Sequence, residues 1–105
     1  MSEKKPSVLI VEDERQIRRF MRSALESEGC HVLESERGQP ALLEAGNGKP
    51  DLVLLDLGLP DMDGVEFIRS LRGWSTAPVI IVSARSDEQE KIRALDAGAD
   101  DYLTK

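Results

Sequence analysis

With 105 residues the chain is large enough for one domain around a single core and too short for two. Apolar residues make up 40% and charged residues 32%, a globular composition, and the net charge of −6 is the wrong sign for gripping a nucleic-acid backbone. The single cysteine, Cys30, excludes an intrachain disulfide, and no apolar run approaches the roughly 20 residues that span a bilayer, so a cytoplasmic location is expected.

Residues 7–11 form a short apolar run (Val8, Leu9, Ile10, Val11), the pattern of a strand buried on both faces. From Glu14 the apolar positions Ile17, Phe20, Met21, Ala24 and Leu25 recur on one face of a helix, which Gly29 should stop. Residues 31–35 read as a second, less apolar strand at a sheet edge. A short helix is expected over 39–45, with Pro40 in its first turn, where a missing N–H costs nothing.

Residues 51–56 carry the most apolar strand, Leu52 to Leu55, which belongs at the centre of a sheet. A Gly-Pro-Asp-rich loop follows, then a helix over 64–72 whose start has capping-box spacing at Asp63 and Glu66. Pro78 opens a fourth strand through Val82. Ser86 and Gln89 repeat the capping-box spacing, and a helix should run over 87–97 with Ile92 and Leu95 as its large apolar anchors, against four such residues in the first helix. Residues 101–103 read as a last strand.

Five strands alternating with four helices imply an α/β fold, a doubly wound parallel sheet covered on both faces. A fifth helix, needed to cover the last strand and part of one face, has no counterpart before Lys105. The domain is therefore expected to be cut short and to expose apolar sheet surface, favouring association or lowered stability.

In open parallel sheets ligands bind beyond the carboxyl ends of the strands, where strand order reverses. Just past the apolar runs stand Glu12 and Asp13, Asp56, Ser83 and Lys105. Three neighbouring carboxylates repel one another unless a cation sits among them, and a hard divalent ion such as Mg²⁺ suits oxygen ligands. A metal beside Asp56 would neutralise an incoming phosphoryl group and let a carboxylate oxygen attack phosphorus, while Lys105 and the Ser83 hydroxyl could hold the product. Each residue also has an ordinary explanation: Asp13 as cap of the first helix, Ser83 as a loop hydroxyl, Lys105 as a solvated charge. Those explanations do not account for all five meeting at one edge, and a lone Asp56 at the end of an apolar strand would be costly to bury unpaired.

The same residues carry a resemblance. VLIVEDE at 8–14, DLVLLDLGLPDMDG at 51–64, PVIIVSA at 78–84 and AGADDYLTK at 97–105 together resemble the receiver domain of two-component response regulators, in wording closest to the OmpR/PhoB subfamily. The resemblance covers nearly the whole chain. It implies a flavodoxin-like, CheY-like sheet of order 2-1-3-4-5 and a phosphohistidine donor on a sensor histidine kinase. It also implies that Asp56 is the phosphoacceptor and that Asp13, Asp56 and the backbone carbonyl of Gly58 ligate Mg²⁺, with Glu12 acting through a water. Ser83 and Lys105 would contact the phosphoryl oxygens, and Tyr102 would turn into space that Ser83 vacates.

By the same resemblance, phosphorylation drives homodimerisation through a face that includes Arg93, Asp96, Asp100 and Asp101. DNA is bound only through a C-terminal domain that this chain does not contain. No metabolic activity is expected, only self-directed phosphoryl transfer and slow hydrolysis of the acyl phosphate. An interaction module that no longer takes phosphate would not need the full set of five residues. An aspartate-nucleophile phosphatase would need a second Asp where Gly58 stands. An FMN carrier would need a phosphate loop where Glu12, Asp13 and Glu14 would repel the phosphate.

Overall fold

The structure, a computed structural model, describes residues 5–84 and 87–105. Five strands, β1 (Ser7–Val11), β2 (His31–Ser35), β3 (Leu52–Leu55), β4 (Val79–Ser83) and β5 (Asp101–Thr104), form one sheet. All pairs are parallel and the order is β2-β1-β3-β4-β5. Four helices alternate with them: α1 (Arg15–Ser27), α2 (Gly38–Gly48), α3 (Gly64–Arg72) and α4 (Glu88–Ala97). The expected architecture and strand order are therefore found, with β2 at an edge and β3 at the centre.

Alternation along the strands divides the sheet. Leu9, Val11, Val53, Leu55, Val79, Ile81 and Tyr102 join the main core with Ala41 and Ala45 of α2, Phe67, Ile68 and Leu71 of α3, and Ala94 of α4. The intervening residues face the other way. There Val8 and Ile10 are buried, Leu54, Ile80 and Val82 are half-buried, and Leu103 is 50% exposed. The sheet thus leaves apolar surface open on its β4–β5 side, as the sequence led one to expect.

Several helix details differ from that expectation. The expected apolar face of α1 is only partly covered: Ile17, Met21 and Leu25 are half-buried, Phe20 is 74% exposed, and the residue of α1 that is buried is Arg18. Asp13 does not cap α1; Glu14 occupies the N-cap position without a side-chain bond. Helix α2 runs past Ala45 through Gly46 and Gly48 to Lys49, which ends it in the left-handed region at φ 44°. A Cβ on Gly48 would stand 2.6 Å from Leu33 Cδ1, so the glycine lets the half-buried Leu33 side chain lie close against the end of α2.

At α3, Asp63 caps by accepting from Val65 N at 2.9 Å, but Glu66 turns away to Arg69 instead of closing the box. Ser86 lies outside the described residues; the side chain capping α4 is Asp87, which accepts from Gln89 N. Ile92 and Leu95 are 54% and 39% exposed, so α4 rests on Ala94 and is anchored more lightly than its sequence suggested.

Candidate functional site

The carboxyl ends of β1, β3, β4 and β5 bring the acidic and basic residues together. One carboxylate oxygen each from Glu12, Asp13 and Asp56 lie within 4.8 Å of one another. Glu12 is almost fully buried, at 1% exposure. Its Oε2 accepts from Glu14 N at 3.0 Å and its Oε1 accepts from Lys105 Nζ at 2.6 Å. Lys105 Nζ also lies 3.4 Å from Asp56 Oδ2. The chain's last residue therefore reaches the cluster, held in place by a 2.8 Å bond from its N–H to the Ser83 carbonyl.

Burial pushes the Glu12 carboxyl above its ordinary pKa, although the Lys105 and Glu14 bonds pull the other way. Burial also works against the Lys105 charge, but its bond to Glu12 and the Asp56 carboxylate outweigh that and raise its pKa. The cluster thus sets the Lys105 ammonium, whose charge its two partners favour, beside the Glu12, Asp13 and Asp56 carboxyl groups. Oxygen-only donors, converging and partly open to solvent, are the donor set that a hard divalent cation takes. The residues present fit such an ion.

Asp56 Oδ1 accepts from Gly58 N at 3.3 Å, which turns the chain just after β3. The loop then folds tightly onto the start of α3: Gly64 N donates to Leu57 O at 3.2 Å, and a Cβ on Gly64 would stand 2.7 Å from Leu57 Cα. Only glycine allows that approach. Ser83 is buried at the end of β4 in register with Thr104, beside the cluster. Tyr102 is not in the cluster. It lies on β5 in register with Ile81, 8% exposed, with Lys91 Nζ 5.9 Å from its ring centroid.

Three residues that the motifs did not single out organise the surroundings. Arg18 bonds the carbonyls of Glu12 and Asp13. Asp61 accepts from both Gly38 N (2.7 Å) and Gln39 N (2.9 Å), so it caps α2 from the loop after β3; the Gln39 bond is the main reason its pKa lies below the ordinary value. Arg72 joins the end of α3 to the loop before β5 through Gly98 O and Asp100, and to the loop before β4 through Ser75 O and Ala77 O. Of these, only Asp61 had a local signal, a carboxylate in a turn-rich loop.

Among the described residues, three of the four charged residues on the expected dimer face have partners within the chain. Arg93 lies 3.8 Å from Asp63, and Asp100 pairs with Arg72 while accepting from Val79 N. Asp101 accepts from the N–H of its neighbour Tyr102. No helix among the described residues is long and apolar enough to cross a membrane.

Comparison with known proteins agrees with this geometry. The response regulator receiver domain pattern matches residues 8–105. The KDP operon transcriptional regulatory protein KdpE of Escherichia coli is 67% identical over 99 residues, covering 94% of this chain and 44% of that protein. KdpE of Mycobacterium tuberculosis is 53% identical over 98 residues, covering 93% of this chain and 43% of its own length. The chain thus spans less than half the length of these relatives.

Among solved structures, the BeF₃-activated receiver domain of Klebsiella pneumoniae RstA aligns with a TM-score of 0.90 at 32% identity, covering 94% of this chain and 85% of its own. A two-component response regulator from Clostridium difficile aligns with a TM-score of 0.94 at 26% identity, covering 96% and 84%. With its strand order, its acidic cluster and these matches in agreement, the chain belongs to the family of two-component response regulator receiver domains.

Proposed function

We propose that Asp56 accepts a phosphoryl group from a phosphohistidine on a sensor histidine kinase, in a reaction that needs Mg²⁺. The observation that carries this reading is the convergence of Glu12, Asp13 and Asp56 on one point with Lys105 2.6 Å from Glu12 and 3.4 Å from Asp56. A carboxylate oxygen of Asp56 attacks phosphorus, the P–N bond to the donor imidazole breaks, and the bonding electrons leave with the imidazole, which takes up a proton. The product on Asp56 is an acyl phosphate.

Asp13, Asp56 and the Gly58 carbonyl would hold the Mg²⁺, with Glu12 acting through a water. The ion there supplies positive charge against the phosphoryl oxygens and the three carboxylates. Lys105 exchanges its Glu12 and Asp56 partners for the new phosphate, whose greater charge competes for the ammonium. Ser83 donates a hydroxyl to the same oxygens, and Tyr102 responds by changing its place beside β4. The light anchoring of α4 through Ala94 supports such a rearrangement, since few buried contacts would have to break.

The relatives' names as transcriptional regulatory proteins support a role in transcription, and the remaining downstream steps rest on the receiver-domain resemblance. Phosphorylation favours a homodimer, and a DNA-binding domain of the intact regulator responds, in the cytoplasm. The domain does no metabolic catalysis; it transfers a phosphoryl group onto itself and slowly hydrolyses it. The test is incubation with phosphoramidate, which carries the same P–N bond, with and without Mg²⁺. Phosphoryl incorporation that requires Mg²⁺ and disappears in Asp56→Asn is expected; incorporation unaffected by Asp56→Asn would overturn the reading.

A further inference from the structure

Arg18 is the one buried residue of α1, at 9% exposure, while the helix's apolar residues are half-buried or exposed. A guanidinium is costly to bury unless its donors are paired, and here every donor nitrogen is used. Nε donates to Glu34 Oε1 at 3.0 Å and Nη2 to Glu36 Oε1 at 3.3 Å. Nη1 donates to the Glu12 carbonyl at 2.9 Å and lies 3.5 Å from the Asp13 carbonyl. Arg22 pairs with the second oxygen of Glu34, which fixes that carboxylate in turn. The side chain thus links the carboxylates at the end of β2 to the two backbone carbonyls of the acidic loop.

What the bond secures is the aim of the loop. Glu12 N donates to Ser35 O at 3.0 Å, so the 12–13 segment is tied on its N–H side by the sheet and on its carbonyl side by Arg18. The Asp13 carboxylate takes part in no ion pair among the described residues, so the backbone beneath it sets where it points. Three carboxylates that repel one another would splay if that backbone could shift, and a cation with strict geometry loses affinity when a ligand is loosely held.

We infer that Arg18 is a positioning residue for the divalent-cation site, bracing the 12–13 backbone so that the Glu12 and Asp13 carboxylates converge on Asp56. The inference rests on reading that cluster as a cation site. Arg18 touches neither the ion nor the phosphoryl group. It acts through the carbonyls of the residues whose carboxylates do.

Isothermal titration of the purified protein with Mg²⁺ tests this, alongside phosphoryl incorporation measured across Mg²⁺ concentrations. Arg18→Ala should bind Mg²⁺ about 10-fold more weakly. At saturating Mg²⁺ its incorporation rate should return to within about twofold of wild type, because Asp56 and Lys105 are untouched. Low-millimolar guanidinium ion should restore part of the affinity in Arg18→Ala and none in wild type. Arg18→Lys keeps the charge but cannot span both carbonyls and Glu34, so it should bind with intermediate affinity.

A cooperatively folded Arg18→Ala with wild-type Mg²⁺ affinity would overturn the inference. So would unchanged affinity with a lower rate at saturating Mg²⁺. If Arg18→Ala does not fold, Arg18→Lys decides: weakened Mg²⁺ binding supports the inference and wild-type binding overturns it. Failure of the wild-type protein to bind Mg²⁺ would instead overturn the cation site itself, and this inference with it.

Discussion

Lys105 Nζ stands 2.6 Å from Glu12 Oε1 and 3.4 Å from Asp56 Oδ2, so the buried carboxylate holds the ammonium more closely than the proposed phosphoacceptor does. This arrangement keeps Asp56 less encumbered while Lys105 stays within reach of any charge that Asp56 acquires. On the proposed reading Glu12 has two tasks, contributing a carboxylate oxygen to the cation site and parking the lysine.

Glu12→Gln separates those tasks. Glutamine keeps one oxygen that can accept from Lys105, and Lys105 retains Asp56, but its amide nitrogen cannot accept from Glu14 N, so the stability loss in urea unfolding should be about 1–2 kcal/mol. Removing one of three carboxylates should nonetheless weaken Mg²⁺ binding about tenfold by titration calorimetry. A stability loss of about 3 kcal/mol or more with unchanged Mg²⁺ affinity would make Glu12 a structural residue alone.

Asp61 contributes a pH-dependent term. Its carboxylate accepts the first N–H groups of α2, and its pKa lies below the ordinary 3.8 in the folded chain. A group with a depressed folded pKa stabilises above its unfolded value, and that stability is lost as pH falls through the folded value. Asp61→Ala should therefore melt at a lower temperature than wild type at pH 7. The gap should narrow as the pH drops below 3.8. Thermal melts of both proteins across that range are the check.

Arg72 donates to three carbonyls and to Asp100, and Asp100 in turn accepts from Val79 N. Arg72→Ala leaves those acceptors short of a partner and should cost about 2–3 kcal/mol in urea unfolding. Asp100→Ala combined with it should be non-additive by about 1 kcal/mol. Strict additivity would show that the two side chains do not work as a unit.

Leu103 is 50% exposed on the sheet face where Leu54, Ile80 and Val82 are only half-buried, and Phe20 of α1 is 74% exposed. Apolar surface of this extent promotes association. The 105-residue chain should sediment with a concentration-dependent mass, and Leu103→Lys should shift it towards monomer. A concentration-independent monomer for the unmodified chain would contradict this.

Strand positions are legible because runs such as Leu52 to Leu55 are apolar on both faces, and the placement of the five candidate residues at one sheet edge is legible because each ends or follows a strand. Helix α2 runs past the expected end at Ala45, because Gly46 and Gly48 have low helix propensity in sequence yet are held in its last turn, which Lys49 closes. Arg18 was invisible for a different reason. Its role depends on carboxylates from β2 and its edge and on carbonyls from the loop after β1, whereas periodicity marks the face of Ile17, Phe20, Met21, Ala24 and Leu25. Tertiary pairing of this kind leaves no local signature.

The central claim is that Asp56 takes up a phosphoryl group with the help of a divalent cation, and intact-mass measurement with acetyl phosphate tests it most directly. The account predicts a gain of one phosphoryl group in the presence of Mg²⁺, absent when the metal is chelated and absent in Asp56→Asn. No gain in the wild-type protein at saturating Mg²⁺, or a gain that persists in Asp56→Asn, would contradict it.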